Sequence, residues 1–238
     1  GVSRQHPLEK VAASLPGTLD AIIHCAANEA RDVSDRDLAA YLDDNLFLTE
    51  QLTQVPHRTF ILISTIGVYP PTDTLHREDE DLRVGNLHGA YNVTKLMSEA
   101  IVRTRCPRYL ILRPTAMLGA YSRPNSLIRI LTEDNCRLTL SGDSAFSYIL
   151  HRDVAGFIRL CLQENISGTF NLASDDKVRL DEVAHRYQRK VLFGAHHYQI
   201  GTIDNSRAKQ ILPTFGRKSE DVIEEFHGGF FKTRRTES

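Results

Sequence analysis

Cysteine is scarce in this chain and never paired at short range. Its four cysteines (Cys25, Cys106, Cys136, Cys161) form no C-x-x-C, which argues against a cysteine zinc cluster or a dense disulfide framework and fits a reducing, cytoplasmic setting. No run approaches the roughly eighteen apolar residues of a membrane span, and residues 1–15 lack the apolar centre of a signal peptide. No membrane partner is therefore expected. Positive charge is not in excess: 29 Lys and Arg face 30 Asp and Glu, so nucleic acid is not an expected partner either. No metal is expected: the adjacent His196 and His197 would point to opposite faces of a strand and make a poor chelate. A G-x-S-x-G elbow is missing, as are internal repeats and low-complexity tracts.

What is present is a chain of 238 residues, 41% hydrophobic and 25% charged, long enough for one core or one core with a small appended lobe. Short apolar runs of strand length alternate with longer helical patterns. Leu19 to Ala26 reads as a buried parallel strand, with His24 and Cys25 packed inside it. Ser34 then offers an N-cap to a helix over Asp35 to Val55, ended by Pro56. A second strand runs over Thr59 to Ser64, and an acidic, solvated loop at Glu78 to Asp81 leads to a helix over Gly89 to Arg105. Tyr109 to Leu112 gives a third strand stopped by Arg113-Pro114, because proline cannot donate to a central ladder.

Further helices are predicted near Ser126 to Thr132, Val154 to Leu162, Leu180 to Lys190, Asn205 to Leu212 and Ser219 to Phe230, with a strand at Thr169 to Leu172. The basic stretch Lys232 to Arg235 reads as a disordered end. This alternation predicts an α/β fold, a Rossmann-like doubly wound parallel sheet. The expected division is a main domain built on this sheet over 1–118 and 146–175, with a smaller lobe over 119–145 and 176–238.

Parallel sheets bind ligands at the carboxyl ends of their strands. The first two strands end in Ala26-Ala27 and Ser64-Thr65, so small and hydroxyl side chains sit where a ligand would lie. Tyr91 and Lys95 are four residues apart on one helix face. A nearby ammonium stabilises phenolate and brings a tyrosine towards the working range of a general acid/base. In a chain with eight tyrosines that spacing also arises by chance, and a polar strand end also serves as an ordinary turn. Strand-end hydroxyl, Tyr and Lys together form a constellation.

At this point the chain resembles the extended short-chain dehydrogenases, the sugar-nucleotide epimerase, dehydratase and ketoreductase group. Asp20 to Ala27 is similar to that family's fourth-strand segment, Asn45 to its mid-helix asparagine, and Ser64-Thr65 with Val68-Tyr69 to its S-[ST]-x-x-V-Y signature. Tyr91 and Lys95 match Y-x-x-x-K. Arg113-Pro114 with Gly119 resembles its R-P loop, His151 to Ala155 its V-x-D-V-A segment, and Gly168 to Leu172 its later G-x-[YF]-N strand.

The resemblance implies an NAD- or NADP-dependent epimerase or ketoreductase acting on a nucleotide-linked sugar. Tyr91 would be the acid/base, Lys95 would hold the nicotinamide ribose, and Thr65 would orient the reacting oxygen. Ala26, Ala27, Asn45, Ser64, Pro114 and Thr115 would border the cofactor, while Asn125 and Arg152 would contact substrate. It also implies a homodimer built on the two long helices.

Two departures stand out. No G-x-x-G-x-x-G turn occurs, and Gly1 to Gly17 reads as the end of a loop and a short helix, as if about fifty or sixty residues of a first βαβ unit were absent. Ile66-Gly67 stand where dehydratases of the family carry Asp-Glu, which removes the acid and base of a water elimination. The rival reading is a non-catalytic dinucleotide-sensing or scaffold relative of the same fold.

Overall fold

The computed structural model describes residues 17–30 and 32–236, with side chains to residue 229. The short helix expected near the amino terminus falls on residues outside that range. The chain divides into two compact units: Gly1–Pro70, Asp79–Arg113 and Ile166–Phe170 form the first, and Pro71–Glu78, Pro114–Asn165 and Asn171–Ser238 the second.

The central sheet has four strands: β1 (Leu19–His24), β2 (His57–Ile63), β3 (Tyr109–Pro114) and β4 (Gly168–Leu172), in that spatial order. β1 pairs parallel with β2, Ile22 facing Phe60, and β2 pairs parallel with β3, Ile61 facing Leu110. Phe60, Ile61, Leu62, Leu110, Ile111 and Leu112 are fully buried, so both faces of β2 and β3 are covered, as the continuous apolar runs require. Helix α1 (residues 35–54) and helix α2 (Ala90–Arg105) follow the first two strands. Leu52 of α1 and Val102 of α2 join Ile22, Phe60, Leu62 and Ile111 in one core cluster. Each such side chain contributes about 1.5–3 kcal/mol of burial.

In the second unit a short parallel pair, Ala116–Leu118 with Tyr148–Leu150, escaped the sequence reading because three-residue strands carry no measurable period. α3 (Ser126–Thr132), α4 (His151–Gln163), α5 (Leu180–Arg186), α6 (Ser206–Ile211) and α7 (Ser219–Thr236) complete the order. Leu118, Leu127, Ile130, Leu180, Val183 and Val222 share a second core.

Several expectations need correction. β1 stops at His24, so Cys25 lies beyond the strand and is exposed rather than packed. β1 is also an edge of the described sheet, and Ile23 on it is 52% exposed. β3 continues through Pro114, with pairing resumed by the Thr115 N–H to Leu172 O at 2.9 Å; proline at the last position costs the ladder little. Glu78 in the acidic loop is half-buried and accepts the Asn171 N–H at 3.0 Å. Lys232 to Arg235 continue the backbone of α7 instead of ending it. Among the described residues no helix is long and apolar enough to cross a membrane, and no group of three His, Cys, Asp or Glu could hold a metal.

Candidate active site

The site's first half is the segment that leaves β2. Ser64 N–H bonds Leu112 O at 2.7 Å, which carries the ladder one residue past β2. Thr65 then caps a single 3-10 turn over Ile66–Val68: its extended backbone lets Oγ1 accept the Gly67 N–H at 3.1 Å. Gly67 leaves room here for the Asn92 side chain. A Cβ at this position would lie 2.2 Å from Asn92 Oδ1.

The second half is the first two turns of α2. Gly89, with φ of +82°, turns the chain into the helix, a conformation that costs glycine nothing. Tyr91 and Lys95 follow one turn apart, and the Lys95 ammonium sits 5.7 Å from the Tyr91 ring centroid, within cation–π range. Lys95 is 6% exposed and donates to Ile63 O, the last residue of β2, at 2.8 Å. Burial lowers its pKa to about 8, against the opposing pull of Cys25, Glu29 and Glu99. His24, at the end of β1, is buried and neutral, with its pKa lowered to about 4 by burial and by Lys95.

Asn45 lies in a π-helical stretch, Asp43–Phe47, in the middle of α1. Its side chain grips the segment after β1 from both directions: Oδ1 accepts from Asn28 N at 2.7 Å and Nδ2 donates to Asn28 O at 2.9 Å. Asn45 thereby fixes the course of the backbone just beyond Ala26 and Ala27. Its carbonyl accepts the hydroxyls of Thr49 and Ser98 at 3.1 and 3.0 Å.

Ser64 is committed elsewhere. Its hydroxyl donates to Glu99 Oε1 at 2.5 Å inside the core. Glu99 also receives Arg113 twice, at 3.0 and 2.7 Å, and Arg103 at 2.6 Å. Arg113 in turn donates to the Tyr69 hydroxyl at 2.8 Å. Tyr69 and Arg113 stand in the motifs above without a role of their own, and Glu99 stands in none of them. The signal was there for Glu99, which follows Lys95 at the same four-residue spacing that joins Tyr91 to Lys95.

A profile of the NAD dependent epimerase/dehydratase family matches residues 3–173. The chain belongs to that family. Solved structures similar to this family member include MoeE5 in complex with UDP-glucose and NAD, with TM-score 0.76, 21% identity and coverage of 92% of this chain and 80% of that one. The UDP-glucuronic acid 4-epimerase of Bacillus cereus, in complex with UDP-glucuronic acid and NAD, gives 0.73, 20%, 95% and 78%. The UDP-N-acetylglucosamine 4-epimerase of Bacillus cereus gives 0.70, 22%, 97% and 88%. At these identities the likeness concerns the fold. No curated protein sequence matches the chain.

The family member's remaining expected site residues lie in the second unit. Pro114 ends β3, and Thr115 is buried with its hydroxyl on Leu172 O at 3.2 Å. Asn125 caps α3, its side chain accepting the Ile128 N–H at 3.0 Å. Arg152 is exposed and ion-paired with Glu225, which also takes Arg217 at 2.7 Å. Neither Asn125 nor Arg152 is joined to the Tyr91–Lys95 pair within a unit.

Proposed function

We propose that the protein epimerises, or reduces at a ketone, a carbon of a nucleotide-linked sugar, with Tyr91 as acid/base, Lys95 beside it and Thr65 orienting the reacting oxygen. The observation that carries this reading is the Tyr91–Lys95 pair: a phenol facing an ammonium that is buried, anchored on Ile63 O and lowered to about pKa 8. The UDP-sugars in the names of the similar structures support uridine diphosphate sugars as the substrate class, and their NAD supports that dinucleotide.

The residues fit the reacting end of such a cofactor. An ammonium has three donors, and Lys95 spends one on Ile63 O, which leaves two for ribose hydroxyls. Ala26 and Ala27 present small side chains beyond β1, where phosphates can approach closely.

Bound NAD supplies a hydride acceptor and donor. Tyr91 takes the sugar hydroxyl proton as that carbon is oxidised and returns it on reduction. Lys95 lowers the cost of phenolate by charge alone. The Thr65 hydroxyl holds the same oxygen in line. With Ile66 and Gly67 in the next two positions, no carboxylate follows Thr65 to drive an elimination.

Exposed Leu38 and Phe47 on α1 and Met97 on α2 support a homodimer through these helices, and the four free cysteines suit the cytoplasm. The test is interconversion of UDP-glucose, UDP-glucuronic acid and UDP-N-acetylglucosamine with their C4 epimers, followed by NMR with added NAD. Turnover should vanish in Tyr91→Phe at unchanged folding; turnover that survives there sinks the reading.

A further inference from the structure

The Glu99 cluster has no place in that mechanism, yet Glu99 and Arg113 lie in the interior of the first unit. Glu99 and Arg113 have side chains 0% and 1% exposed. Ion pairs this deep lose most of their Coulombic gain to desolvation, so packing alone is a weak reason to hold one. What the pair does that apolar residues could not is fix the direction of hydrogen bonds at two separate points.

Those two points bracket the strand-end segment. Ser64, at its start, donates directly to Glu99 Oε1 at 2.5 Å. Tyr69, at its end, accepts from Arg113 Nη1 at 2.8 Å and lies under the guanidinium at 5.0 Å. Between them sits Thr65 with its 3-10 turn. Glu99 itself is on α2, one turn beyond Lys95 and two beyond Tyr91. The same helix therefore holds β2's end twice, through Lys95 on Ile63 O at 2.8 Å and through Glu99 on Ser64.

We infer that Glu99, acting through Arg113, is a positioning residue that sets Thr65 against Tyr91 and Lys95 for hydride chemistry; this rests on the functional reading above. Small displacements of a reacting constellation are costly, with about 1 Å sufficing for a hundredfold loss of rate. The carboxylate works as a clamp on both ends of the loop that carries Thr65, and it does so without touching substrate.

The test uses the full chain, with Ser64→Ala, Tyr69→Phe, their combination, and Glu99→Gln. The first two each cut one tether while leaving Glu99 paired with Arg103 and Arg113, so they remain informative even where Glu99→Gln fails to fold. Amide hydrogen exchange over residues 64–69 should speed about tenfold in the combined variant, with the interior of β2 and α2 unchanged. In UDP-sugar epimerisation its kcat should fall about tenfold or more with KM within about twofold. Unchanged exchange in that segment overturns the positioning role, as does faster exchange with kcat intact. Absence of turnover in the unaltered protein strikes the functional reading instead, which the exchange measurement does not depend on.

Discussion

Arg113 and Glu99, both buried, meet through two parallel N–H to carboxylate bonds of 3.0 and 2.7 Å. The arginine is held further into its charged state by this carboxylate, against a burial that acts the other way. Removing Arg113 leaves the Glu99 charge in the core with only the partly exposed Arg103 as its partner. Arg113→Met should therefore lower unfolding free energy by about 3–5 kcal/mol, whereas Arg113→Met with Glu99→Leu should recover most of that loss. Urea unfolding of the two variants checks it; equal stability of single and double variants would show that the pair carries no desolvation cost.

How far this site could be read from the sequence follows from how each residue advertises itself. Tyr91 and Lys95 were legible because their spacing matches a helical turn, and Thr65 because it ends an apolar run. β2 and β3 were legible because burial on both faces forces continuous apolar stretches. Arg113 was hidden by its surroundings: a charge after Leu110-Ile111-Leu112 reads as a strand terminator, and only tertiary packing reveals the carboxylate it meets. The π-helical stretch at Asn45 has no sequence mark, since the buried positions Tyr41, Asn45, Thr49 and Leu52 keep the three- and four-residue spacing of an ordinary helix. Cys25 was misread for the opposite reason, as an apolar residue adjoining a buried strand that stops one position earlier.

The His24 imidazole is buried at the end of β1, with Nε2 paired to Thr49 Oγ1 at 2.9 Å. Its folded pKa of about 4 lies below the ordinary 6.5, because burial, then Lys95, disfavour the cation. Between these values the unfolded chain binds more protons, so stability is full above about pH 6.5 and is lost as pH falls towards 4. The loss amounts to about 3 kcal/mol. In His24→Gln the acid limb of stability against pH should flatten by about that amount; an unaltered limb in denaturant melts would remove His24 as its source.

Gly67 and Asn92 compete for one volume. A methyl at Gly67 would meet Asn92 Oδ1 at 2.2 Å, and the Asn92 amide is itself tied to His88 O at 2.9 Å. Gly67→Ala should therefore expel the amide and cost about 1 kcal/mol, the net worth of the lost hydrogen bond. Asn92→Ala in the same chain should make the added methyl nearly neutral. Thermal melts of the two single variants and the double variant give the coupling, and strict additivity would mean the clash is relieved some other way.

Lys95 titrates where activity can report it. Its folded pKa of about 8 lies below the ordinary 10.5, with burial the largest cause. For a lysine the depressed value means that the unfolded chain holds more protons between the two, so stability rises with pH from about 8 to 10.5, by about 3 kcal/mol. Below pH 8 the charged form is kept at that cost, which is sensible only where the charge is used. In the proposed reaction the ammonium must be present to stabilise the Tyr91 phenolate, so kcat should decline above about pH 8 as Lys95 loses its proton. Lys95→Arg cannot lose its charge in that range. Whatever its overall rate, that variant should show no alkaline decline near pH 8; a decline that persists in Lys95→Arg assigns the limb to another group.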